Sequence, residues 1–171
     1  MALTLHTATV NEAIYKPAGP DATDEFINVT HNRYLKPVGE MFGKSIKAVF
    51  TDEPSLMNWN TENMPYAMVS WKKDFPQGFR HRYGYDIENA LVALFMNMGP
   101  DVVKRRCDFW EYIADELADN FFGRIQEWCH ANNLAASGHL LAEENIIDHV
   151  FLYGSYFASM RRFDIPGIDQ L

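Results

Sequence analysis

The segment Ile46-Lys47-Ala48-Val49-Phe50-Thr51-Asp52-Glu53-Pro54 is the stretch of sequence that decides the class of fold. Its first five residues form a short, mainly apolar run after Gly43, which is typical of a buried β-strand. Pro54 cannot donate a hydrogen bond to a neighbouring strand, so the strand is predicted to end before it. The tetrad Thr51-Asp52-Glu53-Pro54 is therefore predicted to lie on the loop at the C-terminal end of this strand.

Strands and helices alternate along the rest of the chain. Short apolar or alternating runs predict strands, and apolar residues that recur every three or four positions predict helices. Such alternation is typical of a parallel α/β sheet or barrel, and we predict a single α/β domain over residues 1–171. The predicted strands cover residues 3–9, 46–50, 134–141 and 163–171, and the predicted helices cover 21–41, 75–96 with a break at 83–86, 100–131 and 145–162.

The composition predicts a folded, acidic protein. Of the 171 residues, 47% are hydrophobic, which is enough for a buried core, and the formal net charge is -8. This charge argues against a nucleic-acid partner, because phosphate contacts need a basic face. No apolar run approaches the roughly 20 residues that span a bilayer, and the N-terminal residues show no signal-peptide pattern. Neutral or sugar-like substrates fit better, and the native compartment is left open.

Polar side chains follow each predicted strand near its end. In parallel α/β proteins and (β/α) barrels, ligands bind outside the C-terminal ends of the strands, where the connecting loops meet. This rule selects candidate residues without any motif. The first predicted strand offers His6 and Thr7, and the second offers Asp52 and Glu53. The third offers His139, Glu143 and Glu144, and the fourth offers Asp164 and Asp169.

Two of these acids suit glycoside cleavage. That reaction needs two carboxyl groups across the anomeric carbon, one to protonate the leaving oxygen and one to attack or to activate water. Glu53 with Glu143 or Glu144 could form this pair, because consecutive strands carry them. A structural alternative stays open at this point, in which Asp52 caps a turn and Glu143-Glu144 forms the acidic first turn of a helix.

Several segments, in the same order along the chain, resemble glycoside hydrolase family 106, the α-L-rhamnosidases and their relatives. The first is the run from Phe42 through Ser55, which contains the acidic tetrad, and it is the ordered set rather than any one segment that is specific. The others are Trp71, Phe79-Arg80-His81-Arg82-Tyr83-Gly84-Tyr85-Asp86, Trp128-Cys129-His130, Gly138-His139-Leu140 and Ile165-Pro166-Gly167-Ile168-Asp169.

The resemblance implies a (β/α)8 TIM-type catalytic barrel, hydrolysis of a terminal deoxy-sugar or related glycoside and, in some members, a calcium ion at the active site. It implies that Glu53 is the catalytic acid. The second carboxylate is then Glu143 or Glu144, with Asp169 as the next choice. The residues expected to contact the sugar are Asp52, His139, Trp71, Asp169 and His6.

The length of the chain adds an expectation about partners. A complete barrel takes about 250 residues, and the four predicted strands amount to about half of one. Half a barrel has open strand edges, which need a covering partner. We therefore expect an incomplete barrel that pairs with a second copy or with the missing remainder.

Two other hypotheses stay open beside the hydrolase. The first is a non-catalytic, self-associating carbohydrate-binding module or truncated barrel, suggested by the missing strands and by aromatic residues around Trp59, Tyr66 and Trp71. The second is a metal-dependent hydrolase that uses His6, His139 and nearby acids, although the histidines lack the tight spacing of known metal sites.

Overall fold

Three short parallel strands form the sheet in the structure, a computed structural model that describes residues 20–56, 69–97 and 99–169. The strands are β1 (Ala48–Asp52), β2 (Ala135–His139) and β3 (Ile165–Pro166), in the order β1-β2-β3. Asp52 lies opposite His139 across the first pair. Because all three strands run in the same direction, their C-terminal ends meet at one edge of the sheet.

Helices connect and flank these strands, so the described fold is mixed α/β. Asn145 caps the helix that begins at Ile146, because its side-chain oxygen accepts a hydrogen bond from the Ile147 N–H at 3.1 Å. The helices are α1 (Pro20–Val29), α2 (His31–Val38), α3 (Phe75–Tyr83), α4 (Ile87–Phe95), α5 (Val102–Leu117), α6 (Arg124–Ala131), α7 (Ile146–Tyr153) and α8 (Tyr156–Met160), with a 3-10 turn over Gly39–Met41 and a π-helical segment over Ala118–Gly123.

The helical core lies where α3, α4 and α5 pack together. Phe75 and Phe79 of α3 contact Tyr112 of α5 through edge-on rings, with centroids 5.5 Å apart in both pairs. Phe109 and Ile113 of α5 are also buried. These buried rings belong to the same apolar cluster as Ala136 of β2, so one core joins the helices to the sheet.

Most predicted elements are confirmed, with changes at their ends. β1 extends through Asp52, so Thr51 and Asp52 lie within the strand, and the prediction that they lie on the loop after it is wrong. The predicted helices over 21–41, 100–131 and 145–162 are each divided, the last at Gly154. Gly154 has φ +71°, and a Cβ there would lie 2.5 Å from the Trp110 carbonyl oxygen, so α7 turns sharply beside α5.

The barrel itself stays a prediction. The described residues contain a sheet of three strands, and the predicted strand over 3–9, with His6, lies outside them. Across 20–56, 69–97 and 99–169 no helix combines the length and the apolar character needed to cross a bilayer.

Candidate active site

One histidine and several acids gather at the C-terminal edge of the sheet. Asp52 and His139 end β1 and β2, and Asp169 follows β3 by three residues. Glu53 and Glu143 lie on the segments that leave β1 and β2. The placement rule therefore brings together residues from three strands that are far apart in sequence.

His139 lies between two of the acids. Its Nε2 is 2.7 Å from Asp52 Oδ1 and forms a hydrogen bond. Its Nδ1 is 3.3 Å from Glu143 Oε1, a charge contact that lacks hydrogen-bond geometry. The imidazole is buried, whereas the Asp52 side chain is 75% exposed. His139 thus joins a solvent-facing acid to a sheltered one.

The surrounding charges favour the protonated form of His139. Burial by itself lowers the pKa of His139, but the hydrogen bond to Asp52 and the charges of Glu143, Asp52 and Asp169 raise it further than burial lowers it, so the pKa lies above its ordinary value. A protonated imidazole balances part of the negative charge that the acids bring to this edge.

Glu143 is the more sheltered of the two predicted partner acids. Its side chain is 10% exposed, and its Oε1 accepts a hydrogen bond from the Asp169 N–H at 3.0 Å. Glu144 is exposed in the same turn. The contacts of Glu143, and not those of Glu144, connect to the rest of the candidate site.

Glu53 leaves β1 through an unusual backbone conformation. Its φ is +48°, in the left-handed region that residues with a side chain seldom adopt. Its N–H still donates to the His139 carbonyl at 3.4 Å. Backbone strain of this kind often lies at functional sites, where the surrounding structure holds it in place. The exposed carboxylate therefore lies just beyond the end of the strand.

The described residues do not fit the calcium ion that the resemblance implies. Glu53, His139 and Asp169 each offer an atom within 4.8 Å of the others. Calcium takes about six to eight oxygen ligands, but this group supplies two carboxylates and one imidazole. Both imidazole nitrogens already face Asp52 and Glu143. These residues therefore lack the oxygen ligands of a calcium site.

Helix α7 contributes two side chains that the sequence patterns did not single out. Tyr153, fully buried, accepts a hydrogen bond from the Leu141 N–H at 2.6 Å, and His149 contacts the Ala142 carbonyl oxygen at 2.6 Å. Burial raises the pKa of Tyr153 far above its ordinary value, and the nearby Glu53 charge adds to this, so the phenol stays neutral. The sequence signal that could have found them is their four-residue spacing, which puts both side chains on one face of the helix.

Two predicted residues lie apart from the acids. Trp71 packs edge-on against Phe75 at the start of α3, with ring centroids 5.8 Å apart, and shows no described contact with the site. Asp164, at the other end of β3, accepts hydrogen bonds from the Ala136 N–H at 2.7 Å and from Gln126 at 2.9 Å. The placement of Asp164 at the strand's C-terminal end is wrong, because the strand begins only at Ile165.

The fold is similar to part of a known enzyme. A solved structure described as a rhamnosidase from Novosphingobium sp. PP1Y matches this chain with a TM-score of 0.61 and 21% sequence identity. The match covers 86% of this chain and 13% of the rhamnosidase chain. No protein-family model and no curated protein sequence matches the chain. At this identity the similarity shows a shared fold, that of a small mixed α/β segment within a much longer rhamnosidase.

Proposed function

We propose that this chain belongs to a (β/α)-barrel glycoside hydrolase of α-L-rhamnosidase-like type, with Glu53 and Glu143 as the paired carboxylates. One observation carries the proposal: both acids lie at the C-terminal edge of adjacent parallel strands, in a fold similar to that of a rhamnosidase. The glycoside-binding edge of a barrel is the same edge. The placement of the acids and the similarity of the fold support the proposal independently.

The contacts of the two acids suggest different roles. Glu53 is exposed beyond the strand end, where its carboxyl group can reach a glycosidic oxygen and protonate it as the bond breaks. Glu143 is sheltered, accepts a hydrogen bond from the Asp169 N–H and faces the His139 ring. A carboxylate held in this way suits a base that activates water, or a nucleophile. Asp52 and Asp169 can accept hydrogen bonds from sugar hydroxyls.

Activity measurements on a panel of aryl glycosides, rhamnoside and galactoside first, test this proposal. We expect Glu53→Gln to lower kcat by roughly 10²- to 10⁴-fold, because a general acid contributes about that much. The loss is expected to be smaller for aryl groups that leave without protonation. Glu144→Gln, one residue from Glu143 but exposed, is the matched control and should retain activity. Turnover unchanged by Glu53→Gln would contradict the assignment of Glu53.

The carbohydrate-binding alternative is kept because β3 presents an open edge. Among the described strands none pairs with that side of β3, and Ile168, just before Asp169, is 79% exposed. A site beside an unpaired strand edge could bind a sugar without hydrolysing it. Calorimetric titration with rhamnose-containing oligosaccharides separates the two hypotheses. Binding without hydrolysis in the aryl glycoside panel would favour the binding module.

A further inference from the structure

Helix α7 is attached to both of the segments that carry the proposed catalytic acids. On the β1 side, the Leu56 N–H donates to the Leu152 carbonyl at 2.9 Å, three residues after Glu53. On the β2 side, Tyr153 and His149 bind the turn that leads into Glu143. Leu56 and Leu152 are both buried, so the first attachment is shielded from water.

The attachment on the β2 side consists of two short hydrogen bonds to consecutive residues. The Tyr153 hydroxyl accepts from the Leu141 N–H, and His149 Nε2 donates to the Ala142 carbonyl, each at 2.6 Å. A carbonyl can only accept, so Nε2 must carry the hydrogen. The two bonds thus hold the N–H of Leu141 and the C=O of Ala142, on the two residues just before Glu143.

The backbone at this turn needs such support. Ala142 has φ +59°, a left-handed conformation that an L-residue with a Cβ adopts at a cost. Without the bond from His149 the Ala142 carbonyl would keep only the Asn145 N–H, at 3.0 Å. A change of the Ala142 conformation would redirect the Glu143 side chain, which is the next residue.

The supporting helix is itself held in place. His149 stacks on Tyr156 of α8, with ring centroids 4.3 Å apart and planes 20° from parallel. Gly154, at the end of α7, lies so close to α5 that a Cβ would be 2.5 Å from the Trp110 carbonyl oxygen. The groups on α7 therefore bind the turn from a fixed position.

We propose that His149 and Tyr153 are positioning residues for Glu143: together they hold the Leu141–Ala142 backbone in the conformation that aims the Glu143 carboxylate into the site. The role in catalysis rests on the proposed function, whereas the role in fixing the carboxylate does not. Neither residue is assigned to contact the substrate.

Three substitutions test the proposal. Tyr153→Phe removes the hydroxyl and keeps the ring, and His149→Phe removes the donor and keeps the stack on Tyr156. We expect each to lower kcat at least tenfold with KM changed less than threefold, because misplaced reacting groups affect the chemical step. His149→Gln, whose amide nitrogen can replace Nε2, should recover kcat to within about threefold of wild type.

A second readout does not depend on activity. Carbodiimide-driven labelling of carboxylates, followed by mass spectrometry, compares the sheltered Glu143 with the exposed Glu144. We expect labelling of Glu143 to rise several-fold in His149→Phe and Tyr153→Phe, with Glu144 unchanged. The matched control is Tyr85→Phe, which removes a part-buried hydroxyl that donates to Asp108 of α5 at 2.8 Å, between α3 and α4 rather than at the site.

The outcomes separate this inference from the proposed function. Labelling of Glu143 that is unchanged in folded His149→Phe and Tyr153→Phe overturns the positioning role. An equal rise in Tyr85→Phe also overturns it, because the effect would then be general destabilisation. If the wild type hydrolyses no glycoside but the labelling changes as expected, the proposed function fails and the positioning of Glu143 stands.

Discussion

At the residue scale, burial and nearby charge act in opposite directions on the pKa of His139. His139 is buried, which disfavours its protonated form, but it faces Asp52 and Glu143, which favour that form more strongly. A protonated His139 offsets part of the negative charge of the nearby acids. Its contribution to stability should therefore depend on pH.

Replacing His139 with Gln should cost more stability at pH 6 than at pH 9. The folded pKa is raised above the ordinary value of 6.5, so the protonated histidine stabilises the fold below that pH, and this contribution is lost as the pH rises through the folded pKa. We expect a difference below about 1 kcal/mol, because Asp52 is exposed. Urea unfolding of wild type and variant at both pH values measures it.

The matched control for this measurement is His81→Gln, an exposed position on α3. Its difference from wild type should stay the same at both pH values. A His139→Gln difference that grows between pH 6 and pH 9 would contradict the charge balance described for His139.

At the scale of elements, glycines fix how closely the helices and strands approach. Gly154 allows α7 and α5 to meet, and Gly138 lies against the Thr51 carbonyl and the Phe163 ring within the sheet. Both glycines are places where a methyl group has no room. The position of α7, and with it the proposed support of Glu143, depends on the first of them.

Gly154→Ala should destabilise the fold by about 3 kcal/mol or more, because it adds a strained left-handed backbone to a steric overlap with Trp110. Gly84→Ala is the matched control. Gly84 also has a positive φ, +78°, but no atom lies within 4 Å of the added Cβ, so about 1 to 2 kcal/mol is expected. Denaturant unfolding of both variants compares them, and equal losses would show that the contact with α5 is unimportant.

Local sequence patterns could predict the described strands and the placement of Glu53 at the end of β1, because their determinants are local. An apolar run followed by proline marks the end of β1. Because alternating strands and helices predict a parallel sheet, the acids that follow the next strands are placed at the same edge as Glu53. The roles of His149 and Tyr153 could not be predicted this way. Each side chain binds backbone groups of Leu141 or Ala142, and no sequence pattern marks a contact to backbone. Asp164 was assigned to the wrong end of its strand because β3 has two residues, too few for a period to show where it begins.

At the scale of the whole molecule, the sheet has an exposed flank beside the site. Ile165 in β3 is 51% exposed, and Ile168 just after the strand is 79% exposed. Exposed apolar residues at an open strand edge usually mark an interface. We propose that a second copy of the chain covers this flank.

Light scattering across a range of concentrations tests whether the flank binds a second copy. We expect the wild-type chain to self-associate and Ile165→Lys to shift it toward the monomer, because a buried lysine would lose its hydration. Val103→Lys, at an exposed apolar position on α5, is the control and should not alter the mass. A wild type that is monomeric at every concentration would contradict pairing of two copies.

The backbone bond between Leu56 and Leu152 ties the segment that carries Glu53 to α7. The same helix binds the turn before Glu143 through His149 and Tyr153. A displacement of α7 would therefore be passed to both acids at once, so they are expected to move together.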